Sequence, residues 1–275
     1  MSRLSPYYEE DKSMSVEHDD NWENLGISKE NKLDKVILWD FDSILHLVLY
    51  SGYSDKLDEN GKKIRNPEYT ETDLEMLQGK LTEMTLKILN LIESKVNILA
   101  CYIAIKGVGN YRKDILPTYK AHRLPPNPLI NKLYEYSRIA HQAISMDGCE
   151  AEDVIFTLSS KINHQGVILR IDSDLGQIPG IHFDYKKNIW MKISEEEALH
   201  NKYKKLCCAD SGDNVKTTPG IGISYFNKNF SLGMTVEQYE EALYKAHLKA
   251  WKNDEVKAKE QMELGKQLLT LKYME

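Results

Sequence analysis

The sequence is 275 residues long, 41% hydrophobic and carries a formal net charge of −6, enough chain to bury a large core without metal or disulfide staples. Its four cysteines, Cys101, Cys149, Cys207 and Cys208, form no C-x-x-C pair, which argues against a zinc site or a disulfide framework and suits a reducing, cytoplasmic compartment. No basic-then-apolar leader is visible, and the apolar stretch over residues 36–50 is broken by Asp40 and Asp42, so neither a signal peptide nor a membrane span is expected.

The negative charge is unevenly spread. Residues 1–35 hold nine acids against five bases and account for −4 of the −6, so the rest of the chain is close to neutral and its charge pattern matters more than its sum. Residues 1–33 lack apolar periodicity and read as a polar, acidic extension without chemistry of its own.

From Lys35 the run KVILWD is apolar on consecutive positions, as in a strand covered on both faces of an α/β sheet. A turn-rich stretch over residues 51–66 follows. Leu74, Leu77, Leu81, Met84, Leu86, Leu89 and Ile92 then recur at helical spacing over residues 72–94. VNILACYIAI reads as a second strand, AEDVIFTLSSKI as a helix and GVILRID as a third strand. This alternation over roughly residues 35–195 predicts an α/β domain with a mostly parallel central sheet between helices. Beyond residue 202 the pattern becomes helical around a glycine turn, TPGIGIS, with a Lys- and Glu-rich helical region over residues 236–272. The expected division is thus an extension (1–33), an α/β domain (34–200) and a helical module (201–275).

Acids recur where an open sheet binds ligands, at the carboxyl ends of its strands. Asp40 ends the first strand; Glu150, Glu152 and Asp153 open a helix in GCEAEDV; Asp172 and Asp174 follow the third strand; Asp210 and Asp213 stand in DSGDN before the turn containing Gly220 and Gly222. Each group alone has an ordinary reading, as a helix cap, a solvated loop or a turn. The series points to one shared centre, since hard cations need several oxygen ligands.

In this order the motifs resemble the 5′ nuclease family of flap endonucleases, phage 5′ exonucleases and the N-terminal domain of bacterial DNA polymerase I, over roughly residues 35–225. GCEAEDV is similar to the family's G-x-E-A-D-D helix, DSDLGQI to its D-x-D-L-x-Q segment, and DSGDN with PGIG to its G-D-x-x-D-N and glycine hairpin. The resemblance implies a PIN-like 5′ nuclease fold and a two-ion Mg²⁺ or Mn²⁺ site held by Asp40, Glu150, Glu152, Asp153, Asp172, Asp174, Asp210 and Asp213. It also implies a helix-three-turn-helix module that grips duplex DNA through Gly220 and Gly222 and binds K⁺ there.

NYRKDILPTYKAHRLPPNP combines Arg112, Lys113, Lys120 and Arg123 with Tyr111 and Tyr119, the mixture that phosphate contact and base stacking require. It resembles the family segment that leads into an arch, placed here at about residues 106–147. Lys120 and Arg123 are the candidates for stabilising the scissile phosphate; Arg112, Lys113 and Tyr119 are expected on DNA. Pro125, Pro126 and Pro128 stiffen the start of a short arch.

One family feature is missing. The second-strand aspartate is absent from ILACYIAIKGVGNYR, with Ile105 at about its position. Asp42, two residues after Asp40, points the same way if the strand continues and is the candidate substitute. The expected function is a metal-dependent 5′-3′ exonuclease and flap endonuclease in replication or repair, of the free-standing phage-like kind, in a bacterial or phage-infected cell. Expected substrates are DNA with a 5′ flap, nick or free 5′ end, and RNA in RNA/DNA hybrids; replication proteins are the expected partners, and membranes are not. The alternative is a junction-binding protein whose cleavage is impaired by Ile105. A single-stranded-RNA nuclease is disfavoured because that class lacks the arm and the hairpin.

Overall fold

The computed structural model describes residues 32–53, 59, 70–123 and 126–274. Most of the acidic extension, most of the 51–66 stretch and Pro125 therefore lie outside the described residues.

β1 (Leu33–Asp40) is the second strand of a five-stranded sheet ordered β2-β1-β3-β4-β5. It runs parallel to β2 (Val96–Ala104) on one side and to β3 (Val167–Arg170) on the other. β4 (Gly180–Asp184) continues the parallel order, and β5 (Ile189–Ile193) returns antiparallel at the edge. The alternation of strand and helix predicts the parallel part; the β4–β5 hairpin is an addition that the apolar runs do not announce.

The consecutive apolar residues of β1 divide between two layers. Ile37 and Trp39 face the main core with α1 (Asp42–Tyr53), α2 (Glu71–Glu93) and α4 (Pro128–Ala140); Leu38 faces the opposite side, with Val154 and Ile155 of α5 (Ala151–Lys161). Both faces of the strand are thus dry, which explains why the run shows no polar alternation.

α2 starts at Thr70 in a capping box with Asp73 and buries Leu77, Leu81, Thr85, Ile88 and Ile92. Leu86, on the expected apolar face, is instead 56% exposed. The 3.6-residue period places it a quarter-turn from Thr85, which takes the inward position by donating its hydroxyl to the Leu81 carbonyl, 2.8 Å. α4 packs Leu129, Ile130, Leu133 and Tyr134 into the main core, so residues 128–140 belong to the body of the fold and not to a projecting arch.

After β5, α6 (Glu195–Cys208) leads to α7 (Ile223–Asn229), α8 (Val236–Ala250) and α9 (Glu255–Leu269), which enclose a separate apolar cluster around Tyr203, Leu206, Phe226, Tyr239 and Leu243. Tyr119, in the turn after α3 (Tyr111–Ile115), is buried in this cluster. No helix among the described residues is long and apolar enough to cross a membrane.

α6 ends at Ala209 with φ 57° and ψ −167°, a region open to glycine and strained for any residue with a Cβ. The turn matters because it swings the chain into the acidic segment that follows. Ala209→Gly is expected to stabilise the fold by roughly 1 kcal/mol, the relief of strain exceeding the entropy cost of glycine. Urea denaturation of the two proteins checks this; a loss of stability would show that the turn is not strained.

Candidate metal centre

The acidic residues gather at the carboxyl ends of the parallel strands, as an open sheet requires. Asp40 is the last residue of β1, paired in register with Ala104 of β2. It is 2% exposed; Oδ2 accepts a 2.6 Å hydrogen bond from Ser43, and Oδ1 is buried with no partner. Burial, with the charges of Asp42 and Asp172 beside it, pushes its carboxyl up to about 8.

Asp42 does not extend the strand. β1 stops at Asp40 and α1 begins at Asp42, so the same-face relation expected from strand geometry does not apply. The carboxylate nevertheless stays at the site: Oδ1 accepts from the Lys106 backbone N–H, 3.1 Å, and burial pushes it up to about 6 against the pull of Lys106. Ile105, at the position where the resemblance implies an acid, is fully buried in the main core.

The start of α5 supplies three acids with different fates. Glu150 is the N-cap and accepts from Asn110 (3.1 Å), Tyr119 (3.0 Å), Arg112 (3.4 Å) and Lys120. Burial opposes its charge, but Lys120 and Arg112 hold it below its ordinary value. Glu152 is half-buried, and burial together with Glu150 and Asp172 pushes it well up.

Asp153 points the other way. It is fully buried and receives Arg112 bidentately, Nη1 at 2.6 Å and Nη2 at 2.8 Å, while the Lys272 N–H donates to Oδ1 at 2.9 Å. With both oxygens engaged, Asp153 serves the fold, which corrects its assignment to the metal. Arg112 is corrected with it: at 3% exposure, also donating to the Leu268 and Thr270 carbonyls, it is unavailable to DNA. Tyr119, 1% exposed with its hydroxyl on Glu150 and Asp213 (2.7 Å), cannot stack on a base. Lys113 is exposed.

Asp172 caps the 3-10 turn Ser173–Gln177 through the Asp174 N–H, 2.8 Å. Asp174 turns toward Asp210 and Asp213. Those two do not share a helix face: Asp210 pairs with Val215 in an isolated antiparallel bridge, and a tight turn brings the carboxylates together. Ligand oxygens of Asp174, Asp210 and Asp213 lie within 4.8 Å of one another.

Lys120 bonds Glu150 and stands 3.6 Å from Asp213; Arg123 pairs with Asp213 at 2.6 Å. Gly220, with φ 77°, and Gly222, the N-cap of α7, lie exposed on the loop that follows. Lys205 was not among the sequence candidates: from the last turn of α6 it reaches Asp174 (2.6 and 2.7 Å) and Asp210. Its signal was its place, five residues before Asp210 on a helix aimed at the acids.

The donor set fits a divalent cation. All the groups are hard oxygens, and the unpartnered Oδ1 of Asp40 is a buried acceptor that a cation would satisfy. Between the ordinary carboxyl value of 3.8 and about 8, the folded chain keeps a proton on Asp40 that the unfolded chain has released. The metal-free fold therefore loses stability from this group as pH rises through that window. A bound cation displaces the proton, so the rise in Tm on adding Mg²⁺ or Mn²⁺ is expected to be larger at pH 8 than at pH 5.5 and to shrink in Asp40→Asn. Equal shifts at both pH values would contradict this reading.

Comparison with known proteins agrees with the geometry. The family model described as the 5′-3′ exonuclease N-terminal resolvase-like domain matches residues 60–204, just over half of the chain. A crystal structure of the phage T5 D15 protein co-crystallised with metal ions is 13% identical, covers 86% of this chain and 98% of that one, and has a TM-score of 0.52. A zinc-bound structure of T5 5′-exonuclease (13% identity, 86% and 99% coverage) has a TM-score of 0.49. The catalytic core of Rad2 in complex with a DNA substrate (12% identity, 88% and 80% coverage) has a TM-score of 0.42. The first of these exceeds 0.5 and shows a shared fold. With more than half of its length matched by the family model, the chain belongs to the 5′-3′ exonuclease family of nucleases.

Proposed function

We propose that this nuclease hydrolyses phosphodiester bonds of DNA at 5′ flaps, nicks and free 5′ ends, using Mg²⁺ or Mn²⁺. One observation carries the reading: Asp40, Asp42, Glu152 and Asp172 converge without an ion pair among the described residues, beside two cations, Lys120 and Arg123, that suit a phosphate.

Asp40, Glu152 and Asp172 would hold the cation, which when bound supplies an activated water and charge neutralisation at the phosphate. Asp42 stands in for the acid missing at Ile105. Lys120 and Arg123 bind the scissile phosphate and oppose charge as it develops, Lys120 as a point charge and Arg123 as a fork. Glu150 and Asp213 keep the two bases at the edge of the centre until a phosphate arrives. Lys113 and the exposed turn with Gly220 and Gly222 contact backbone phosphates, which gives structure-specific and not base-specific binding; K⁺ at that turn would strengthen the grip. RNA of RNA/DNA hybrids is a further substrate, replication or repair the setting, and the cytoplasm of a bacterial or phage-infected cell the place. The similar T5 D15 protein, crystallised with metal ions, supports this reading.

A second reading is favoured by Ile105: a 5′-junction binder with weakened catalysis, because an anionic ligand is lost. End-labelled 5′-flap, nicked and single-stranded DNA incubated with Mg²⁺, Mn²⁺ or EDTA separates the two. Metal-dependent cleavage near the junction is expected, abolished in Asp172→Asn, reduced about 10²- to 10³-fold in kcat by Lys120→Met and markedly weakened by Asp42→Asn. Tight flap binding without cleavage would support the second reading, and unchanged cleavage in Asp42→Asn would remove Asp42 from the centre.

A further inference from the structure

Arg170 ends β3 two residues before Asp172, and its guanidinium lies inside the protein, the residue being 6% exposed. Nη1 donates to the Asp172 carbonyl at 2.7 Å, Nη2 meets the thioether of Met191 on β5 at 3.2 Å, and Nε is buried with no partner. Asp184, its register neighbour on β4, directs its carboxylate to the hairpin turn instead. There Oδ1 accepts from the N–H groups of Lys186 (3.1 Å) and Lys187 (2.9 Å), and Oδ2 stands 3.9 Å from the Lys187 ammonium. Arg170 therefore has no ion pair among the described residues.

Such a group weakens the fold that contains it. Burial holds the guanidinium below its ordinary value although Asp184, Asp172 and Asp174 pull the other way. Fully buried His182, also on β4, is pushed down to about 3 by burial and by the Arg170 charge, so it stays neutral. A thioether is a weak acceptor, and a buried N–H without a partner keeps its full desolvation penalty. An apolar side chain of similar volume would suit the same space at least as well. What Arg170 does well is a single thing: it holds the carbonyl of Asp172.

That carbonyl belongs to a residue at the point where the chain leaves the sheet. Asp172 lies beyond β3 and caps the 3-10 turn, its Oδ1 accepting from the Asp174 N–H at 2.8 Å. Arg170 fixes the plane of the peptide that follows Asp172, and the Asp174 N–H fixes the side chain. Oδ2 of Asp172 receives no hydrogen bond among the described residues, and the Asp172 charge acts on both Asp40 and Glu152.

We propose that Arg170 is a positioning residue of the metal centre: by holding the Asp172 carbonyl it keeps the Asp172 carboxylate where a divalent cation needs it, at some cost to the stability of the fold. This rests on reading Asp40, Glu152 and Asp172 as metal ligands. Hydrogen bonds that orient a ligand residue from behind govern metal affinity nearly as strongly as the ligand itself. The β4–β5 hairpin takes part as well, since Met191 covers the guanidinium from its edge strand.

Mn²⁺ binding to the full chain without DNA, followed through the EPR signal of the free ion, and thermal unfolding of the metal-free protein together test this. Arg170→Met is expected to bind Mn²⁺ about 10- to 100-fold more weakly than the wild type, while its metal-free Tm stays level or rises. Arg170→Lys, which can still donate one hydrogen bond to the carbonyl, is expected to recover most of that loss. In flap cleavage, kcat is expected to fall in Arg170→Met with KM for DNA unchanged, and excess Mn²⁺ to restore it. An Arg170→Met protein that binds Mn²⁺ as tightly as the wild type would overturn the proposal. So would a lower metal-free Tm or failure to fold, since Arg170 would then serve the fold, and so would an Arg170→Lys protein no better than Arg170→Met. Absence of Mn²⁺ binding in the wild type is a different result: it would overturn the metal reading and this proposal with it.

Discussion

Mutual repulsion of carboxylates in a partly dry cleft is the constraint around which this fold is arranged. Acids brought from β1, α1, α5, the 3-10 turn after β3 and the turn after α6 would destabilise the cleft if all were charged and unpaired. The chain answers differently in its two halves. On the α6 side, Lys205, Lys120 and Arg123 neutralise Asp174, Asp210 and Asp213. On the β1 side the compensation is weaker: one hydroxyl for Asp40, the Lys106 N–H and charge for Asp42, and one backbone N–H for Asp172. Burial and mutual repulsion favour a proton on Asp40 and Glu152, and on the proposed reading a cation takes its place.

The buried pair of Arg112 and Asp153 shows what keeps the arrangement rigid. Arg112 comes from α3, Asp153 from α5, and the carbonyls of Leu268 and Thr270 from the end of α9 and the residue beyond. Lys272 and Met274 add backbone N–H bonds to Asp153 and Thr157 of α5. A buried pair of this kind adds little net stability over an apolar substitute. Its geometry, though, fixes the first turn of α5, and with it the direction in which Glu150 and Glu152 project. Residues that resemble a ligand and a DNA contact in sequence thus form the joint between the sheet and the helical cluster.

The strand–helix order was legible because β1, β2 and β3 are apolar runs too short for helices and α2 carries a helical period. The β4–β5 hairpin was not, since its polar positions carry no strict alternation, and neither was α4, whose prolines suggested a projecting segment although Pro128 is a favourable first helical residue. At the site, spacing identified the acids but not their partners. Asp153 and Glu152 are neighbours in sequence, yet a helix sends adjacent side chains in directions about 100° apart, so one meets Arg112 and the other the cleft. Lys205 is one of three lysines on α6, and its place five residues before Asp210 gains meaning only from the tertiary position of Asp174.

The proposed substitution of Asp42 for an acid at position 105 has a geometric basis. An acid at position 105 would stand where Ile105 now fills the core against β1 and α1, and replacing it with an apolar side chain removes a charge from the driest part of the cleft. Asp42 accepts its hydrogen bond from the N–H of Lys106, the next residue along. Its carboxylate therefore lies over the very peptide from which the missing acid would project, reached from the first turn of α1 and not from β2. A helix N-terminus favours negative charge there, whereas the end of β2 offers only core. On the proposed reading, the position of the charge is retained while its origin moves from one strand end to the start of a helix, with the bulk of Ile105 in the core and the carboxylate beside Asp40.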